Sequence, residues 1–175
     1  MECAARLVKK SDTRYVCRNG HDFYNNPRTS VTVALINVHG RVLFAKRAKD
    51  PKKGLYDLPG GFLNFQENAF MAAKRALYAE AGIALLDLKL VDASLNIHDE
   101  DVTACSFVFV CTRWEGELEP AEDVEELEWK SLEFMKDERF AWEYPGLYEV
   151  LLPWTRNLKA KGFDISSSPQ PKRVI

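Results

Sequence analysis

Apolar and polar positions alternate along much of the chain in short stretches that are typical of β-strands. Residues 31–38 are rich in β-branched side chains, and a second apolar stretch follows at residues 41–45 after a His-Gly pair, so the pattern predicts a hairpin. Further strand-like stretches lie at residues 88–95, 104–114 and 126–130. The pattern therefore predicts a sheet assembled from strands spread along the chain.

Helical patterns separate these strands. Residues 67–81 are almost all good helix formers, and Gly82 follows them at the position of a C-terminal cap. A short helix is predicted at residues 132–137. Apolar residues recur at helical spacing over residues 147–158, where Pro153 should interrupt or kink the helix. This order of elements predicts an α+β fold, an α/β/α sandwich in which a mixed β-sheet is flanked by helices.

Length and composition indicate one globular domain. The chain has 175 residues, of which 46% are hydrophobic and 29% are charged, within the usual range for a folded domain. We expect an N-terminal extension at residues 1–28, the main domain at residues 29–163 and a flexible tail at residues 164–175. The tail is distinguished by its Ser and Pro residues.

Charge and hydropathy exclude several classes of partner. The 24 Lys and Arg residues nearly balance the 26 Asp and Glu residues, for a net charge of -2, so we expect neither nucleic acid nor a membrane surface as a partner. No stretch approaches the roughly 20 apolar residues of a membrane helix. Residues 1–10 also lack the apolar core of a signal peptide. We therefore expect a cytoplasmic protein, and its four scattered cysteines predict no disulfide.

The candidate chemistry lies where a glycine-rich loop meets the first long helix. The loop ends in Gly60 and Gly61, and glycine lets the backbone approach a ligand closely. Carboxylates three or four positions apart share one face of a helix, where they can gather Mg²⁺. Such ions neutralise a pyrophosphate and activate an attacking water.

These residues are spaced as in a known sequence motif. Their offsets resemble the Nudix box, G-x5-E-x7-R-E-U-x-E-E-x-G-U, in which U is aliphatic. The matching positions are Gly61, Glu67, Arg75, Leu77, Glu80, Gly82 and Ile83. Residues 54–61 also resemble the approach to that box, and residues 125–129 resemble a later strand of the family. The resemblance spans roughly residues 29–134.

The resemblance implies a Nudix hydrolase of the branch that acts on ADP-ribose or NADH. Such an enzyme uses Mg²⁺ or Mn²⁺ to cleave a nucleoside diphosphate linked to another moiety, and it commonly forms a homodimer. The implied catalytic residues are Glu80, Glu67 and Arg75. The implied metal ligands are Glu80, Gly61, Glu67 and Glu125. The implied substrate contacts are Arg47, Lys53 and Gly60.

The box departs from the family pattern at two carboxylates. Ala76 and Ala79 stand where the pattern has glutamate, so that Glu80 alone remains of the clustered acids. The loss of two oxygen ligands weakens a divalent-cation site unless other acids replace them, and we expect slow turnover. Candidate replacements beside Glu67 are Glu122, Asp123, Glu125 and Glu126. The alternative is a catalytically inactive Nudix-fold module that binds nucleotides or regulates a partner.

The N-terminal segment and several aromatic or histidine positions leave open alternatives. Residues 15–28 resemble the end of a zinc ribbon found in the same branch, but its cysteine pairs are absent. Cys3, Cys17 and His21 offer at most three ligands at irregular spacing, so we expect a metal-free relic and no zinc site. His98 is either solvated or a substrate contact. Trp142 is either a core anchor or an aromatic surface for a base.

Overall fold

A computed structural model describes residues 5–99, 102–142, 144 and 146–160. The elements in chain order are β1 (Leu7–Lys9), β2 (Arg14–Cys17), β3 (Asp22–Tyr24), β4 (Arg28–Leu35), β5 (Val42–Arg47), β6 (Tyr56–Asp57), β7 (Gly60–Phe62), α1 (Ala69–Ala81), β8 (Ala84–Leu85), β9 (Lys89–Asp99), β10 (Val102–Cys111), β11 (Trp114–Glu115), β12 (Val124–Lys130), a 3-10 helix (Leu132–Lys136) and α2 (Leu147–Ala160). The predicted strands and helices are therefore present, with shifted ends. The sequence patterns did not predict β1–β3.

Two sheets form the centre of the molecule. A four-stranded mixed sheet has the order β7-β4-β10-β9, with β4 and β10 parallel and the outer pairs antiparallel. A three-stranded antiparallel sheet has the order β12-β5-β6. The strands β1–β3 pair among themselves, and β8 pairs with β11. The mixed strands and flanking helices confirm the predicted α+β class, although the strands divide between sheets.

The alternation of side chains along β4 produces two hydrophobic clusters on opposite faces. Val31, Val33 and Leu35 pack toward the cluster that contains α1, whereas Ala34 and Ile36 pack toward the cluster that contains α2. Successive side chains of a strand point to opposite faces, so a continuous apolar stretch serves both clusters. This arrangement places one helix on each side of the sheets and gives the predicted α/β/α sandwich.

The boundaries of α1 follow from its capping residues. The Asn68 side chain accepts a hydrogen bond from the Met71 N–H and caps the N-terminus. The helix ends at Gly82, whose φ of 71° is left-handed and whose N–H donates to the Tyr78 carbonyl. The predicted C-terminal cap is confirmed, and the helix begins two residues later than predicted. The buried alanines of α1 let the helix approach the sheet closely.

The C-terminal helix continues through Pro153. Pro153 lies inside α2, which continues to Ala160, so the predicted interruption is wrong. A proline lacks the N–H that would bond to the carbonyl four residues earlier. That carbonyl belongs to Glu149, an exposed residue in the first turn, where water can replace the missing donor. The short helix predicted at residues 132–137, before α2, is present as a 3-10 helix.

No helix within the described part of the chain is both long and apolar enough to cross a membrane.

Candidate active site

A cavity of about 360 Å³ opens beside the glycine loop, where strands of both central sheets contribute to its walls. It combines acidic, basic and aromatic side chains. These are Asp57, Glu80, Asp123, Arg28, Lys46, Arg47, Phe62, Trp142 and Tyr144. Gly60 and Gly61 also line it. A polar, charged cavity with an aromatic wall suits a small phosphorylated ligand.

The Glu80 side chain forms a hydrogen bond with the backbone of the glycine loop. It lies at the end of α1, and its Oε2 accepts a hydrogen bond of 3.1 Å from the Gly60 N–H. Burial and, to a smaller extent, the nearby acids Asp123, Asp57 and Glu122 together raise the pKa of Glu80 to about 8, although the Gly60 hydrogen bond acts in the opposite direction. Glu80 is therefore a carboxyl group whose ionisation is opposed by its surroundings, which is typical of functional sites.

Asp57 is a second buried carboxylate in the same cavity. Its Oδ1 accepts hydrogen bonds from the Tyr144 hydroxyl at 2.9 Å and from the Leu58 N–H at 2.7 Å. Burial raises its pKa to about 6, while these hydrogen bonds and the charge of Arg47 act in the opposite direction. Asp57 lies within residues 54–61, which resemble the approach to the box, but the sequence pattern predicts no role for its side chain.

Asp123 lies directly before β12, at the irregular start of that edge strand, and lines the cavity. The pairing of β12 with β5 shifts between Val124 and Glu126, which leaves Glu125 outside the regular register. The Glu125 carboxylate pairs with Lys46 Nζ at 2.8 Å. The loop before β12 is fastened to α1, since the Ala121 N–H donates to the Glu80 carbonyl. The structure thus brings Asp123, and not the predicted Glu125, into the cavity wall.

Glu67 and Arg75 form a bidentate ion pair beside the cavity. The Arg75 Nε and Nη2 atoms donate to the two carboxylate oxygens of Glu67 at 2.8 and 3.0 Å. Arg75 also donates to the Phe62 carbonyl, and Glu67 accepts from the Asn64 N–H. Arg75 holds the pKa of Glu67 below its ordinary value. These contacts fasten the start of α1 to the end of β7, and neither side chain lines the cavity.

The predicted site residues therefore fall into two groups. Gly60, Gly61, Glu80 and Arg47 come together at the cavity. Glu67, Arg75, Glu125 and Lys53 do not line it. The catalytic, metal-binding and substrate-binding roles predicted for the residues of both groups stay predictions.

The missing carboxylates leave a reduced set of metal donors. Ala76 is 2% exposed and packs in the core, and Ala79 is half-buried. Within the described ranges, no group of three or more His, Cys, Asp or Glu side chains is placed to hold a metal ion. Mg²⁺, however, is commonly bound by one or two carboxylates together with substrate phosphates and waters. Glu80 and Asp123 fit this mode, because both line the cavity and a cation held there would offset the burial and the nearby negative charge that oppose ionisation of Glu80.

Several cavity residues were missed by the sequence analysis. No sequence pattern predicts a site role for Asp57, Tyr144 or Arg28, and for Trp142 the sequence leaves open whether it anchors the core or stacks on a base. Trp142 is 7% exposed, and the guanidinium carbon of Arg47 lies 5.7 Å from its ring centre. A Trp or Tyr in an irregular segment has no periodicity to reveal what it faces, so sequence alone gives little signal here.

In the N-terminal segment, two of the three side chains considered as zinc ligands, Cys17 and His21, lie next to each other. Cys17 Sγ lies 3.5 Å from His21 Nδ1, at the turn between β2 and β3. Cys3 and the tail at residues 164–175 lie outside the described residues, as does the side chain of His98.

The raised pKa of Glu80 predicts how stability depends on pH when no metal is present. Between its ordinary value of 4.5 and about 8, the folded protein retains a proton that the unfolded chain has released. The free energy of unfolding therefore falls as pH rises through this window. We expect the melting temperature in EDTA to fall between pH 6 and pH 9, and to fall less in Glu80→Gln. Equal slopes in the two proteins would contradict this assignment.

Comparisons with known proteins identify the family. The profile of the NUDIX domain matches residues 26–151, so the chain belongs to the NUDIX domain family. The resemblance found in the box is thereby confirmed. The chain is 25% identical to the ADP-ribose pyrophosphatase of Methanocaldococcus jannaschii over 85% of its own length and 84% of that protein.

Solved structures agree with this assignment. A MutT NUDIX hydrolase from Burkholderia pseudomallei is 29% identical, with a TM-score of 0.58, over 62% of this chain and 85% of that one. A bifunctional NMN adenylyltransferase/ADP ribose pyrophosphatase from Francisella tularensis, complexed with AMP and a Mn ion, is 25% identical with a TM-score of 0.59. That match covers 74% of this chain and 42% of the larger protein. The protein therefore has the fold of Nudix hydrolases, a family that uses divalent metals.

Proposed function

We propose that the protein is a slow, metal-dependent pyrophosphohydrolase for nucleoside diphosphates linked to a second moiety, of the ADP-ribose or NADH class. The observation that carries the proposal is the cavity itself, where Glu80 and Asp123 face the glycine loop and Arg28, Lys46 and Arg47 contribute positive charge. The reaction requires carboxylates that hold a cation and positively charged side chains that bind the phosphates. The similarity to an ADP-ribose pyrophosphatase supports the substrate class.

The reaction is a hydrolysis of the phosphoanhydride. Water adds to one phosphorus, the bridging P–O bond breaks, and two phosphate monoesters leave with the released protons. Arg28 and Arg47 bind the phosphate oxygens and offset their charge. Glu80 and Asp123 would hold the divalent cation together with a backbone carbonyl of Gly60 or Gly61. When bound, the cation would supply charge neutralisation for the pyrophosphate and activation of the attacking water.

The remaining box residues have supporting roles in this proposal. Glu67 and Arg75 hold the loop and the helix in register through their ion pair. Glu125 restrains the cavity residue Lys46 through its ion pair. The expected slow turnover follows from the two alanines, since each absent carboxylate is an absent oxygen ligand. A cytoplasmic homodimer remains part of the proposal, and light scattering that returns the monomer mass of 20.0 kDa would contradict the dimer.

A second candidate function is nucleotide binding without hydrolysis. The specific observation in its favour is Ala76, which is packed in the hydrophobic core at the position of a box glutamate. A helix face specialised for close packing no longer presents the carboxylate that the box would place there. In this alternative the cavity retains its ligand and the protein acts as a sensor or partner-binding module.

The two candidates are distinguished by product release and binding measured side by side. We expect AMP to be released from ADP-ribose or NADH with Mg²⁺ or Mn²⁺, and no release in EDTA. Nucleoside triphosphates and diadenosine polyphosphates serve as comparison substrates. Binding by calorimetry without product from any compound would overturn hydrolysis and favour the second candidate. In that case Ala79→Glu, at a half-buried position, should restore metal-dependent product release without the burial of charge that Ala76→Glu would cause.

A further inference from the structure

The cavity contains a carboxylate that the proposed hydrolysis does not use. Asp57 lies at the end of β6, and its side chain is 14% exposed. The Tyr144 hydroxyl and the Leu58 N–H both donate to its Oδ1, so the orientation of the carboxylate is fixed. Burial also raises the pKa of Tyr144 well above its ordinary value, which keeps the hydroxyl a donor. A carboxylate with little exposure and a fixed orientation needs a positively charged group or a hydrogen-bond donor near its other oxygen, Oδ2.

Arg47 supplies the positive charge near that oxygen, and the Trp142 side chain also interacts with the Asp57 carboxylate. The Arg47 Nη1 atom lies 3.9 Å from Asp57 Oδ2, a distance that gives electrostatic attraction but not a hydrogen bond. The Arg47 Nε donates to the Pro51 carbonyl at 2.7 Å, and its guanidinium carbon lies 5.7 Å from the centre of the Trp142 ring. Three contacts therefore fix a side chain that is otherwise flexible. They leave the terminal N–H groups able to bind an anion in the cavity.

Two aromatic partners, Tyr144 of Asp57 and Trp142 of Arg47, come from one segment that pairs with β6. The Tyr56 N–H donates to the Arg139 carbonyl at 2.8 Å, and the Ala141 N–H donates to the Tyr56 carbonyl at 2.7 Å. This pairing brings Trp142 and Tyr144 over the end of β6. The carboxylate, the aromatic ring and the hydroxyl are thus positioned by the same short strand.

We propose that Asp57 is a positioning residue that holds Arg47 ready to bind a phosphate oxygen of the nucleoside diphosphate. The inference deepens the proposed function and rests on it, because the ligand is the same. An arginine that is already ordered loses less entropy when it binds a phosphate, so its positioning residue contributes to affinity without touching the ligand. The contribution of Asp57 should therefore disappear when Arg47 is absent.

A double-mutant cycle tests this dependence. Dissociation constants for ADP-ribose are measured by calorimetry, with EDTA and with Mg²⁺, for the native protein, Asp57→Asn, Arg47→Met and the double variant. We expect Asp57→Asn to weaken binding on the order of 10-fold, and to have little further effect in the Arg47→Met background. Where the protein turns over its substrate, KM should rise while kcat changes by less than about 3-fold. Additive effects in the double variant would overturn the proposal.

Two further variants separate positioning from general stability. Asp87→Asn is the matched control, because Asp87 also accepts backbone hydrogen bonds, from Thr112 and Arg113, but lies outside the cavity. It should lower the melting temperature without changing the dissociation constant. Tyr144→Phe retains the charge of Asp57 and removes only the hydroxyl, so it tests the same orientation if Asp57→Asn does not fold. Unchanged binding in both Asp57→Asn and Tyr144→Phe would overturn the role of Asp57.

The outcomes also distinguish this inference from the proposed function. Tight binding of ADP-ribose by the native protein without product overturns hydrolysis, and the cycle still tests Asp57. Turnover with native-like binding in Asp57→Asn overturns only the positioning role. An absence of binding by the native protein to ADP-ribose overturns both.

Discussion

Replacement of Glu80 by glutamine reduces metal-dependent kcat/KM on the order of 100-fold or more, since it removes the negative charge from the acid that the cavity brings to the glycine loop. Glutamine retains an oxygen that can accept the Gly60 hydrogen bond, so the local geometry should survive. It also removes a carboxyl group whose ionisation is opposed by Asp123, Asp57 and Glu122. We therefore expect activity to fall while the metal-free stability at pH 9 rises.

Because activity and stability should change in opposite directions, a loss of activity in Glu80→Gln can be distinguished from a loss of folding. Initial rates with Mg²⁺ and with Mn²⁺, and melting temperatures in EDTA, are measured on the same preparations. Glu117→Gln is the matched control, because Glu117 is an exposed glutamate whose backbone lies beside Gly82 at the end of α1. It should change neither quantity. A Glu80→Gln protein that retained the native rate and metal dependence would show that Glu80 is not part of the reaction.

The outline of the fold could be predicted because its signals are local. The β-branched stretch at residues 31–38 marks β4, and the glycine after α1 adopts the left-handed conformation that such a cap requires. The resemblance to the box also implied that Glu80 and the glycine loop belong to one site, and the two lie within hydrogen-bond distance in the structure.

The rest of the site depends on contacts between distant segments. Tyr144 and Asp57 are 87 positions apart, and no periodicity connects them. Among the acids at residues 122–126, Asp123 alone lines the cavity, and the adjacent shift in the pairing of β12 with β5 has no signal in the sequence, which does not show where a strand bulges. Helical spacing likewise does not predict the bidentate ion pair of Glu67 with Arg75, because Glu67 lies before the helix and not on its face.

The substitution Gly60→Ala should destabilise the protein by about 3 kcal/mol, and therefore lower its melting temperature by roughly 6–12 °C. A Cβ atom at this position would lie 2.1 Å from the Val31 carbonyl oxygen, and this neighbour is backbone in the core of the mixed sheet. The strand would have to move away from β4, and the N–H that contacts Glu80 would move with it. We expect activity to be lost together with stability.

The adjacent glycine provides the control for this prediction. A Cβ atom on Gly61 meets nothing within 4 Å, and its φ lies outside the left-handed range, so Gly61→Ala is accommodated. Alanine also retains the backbone carbonyl that the proposed metal site uses. Thermal denaturation of the two variants should therefore show a large loss for Gly60→Ala and a native-like melting temperature for Gly61→Ala. Equal melting temperatures would contradict the close approach of β7 to β4 on which the geometry of the site depends.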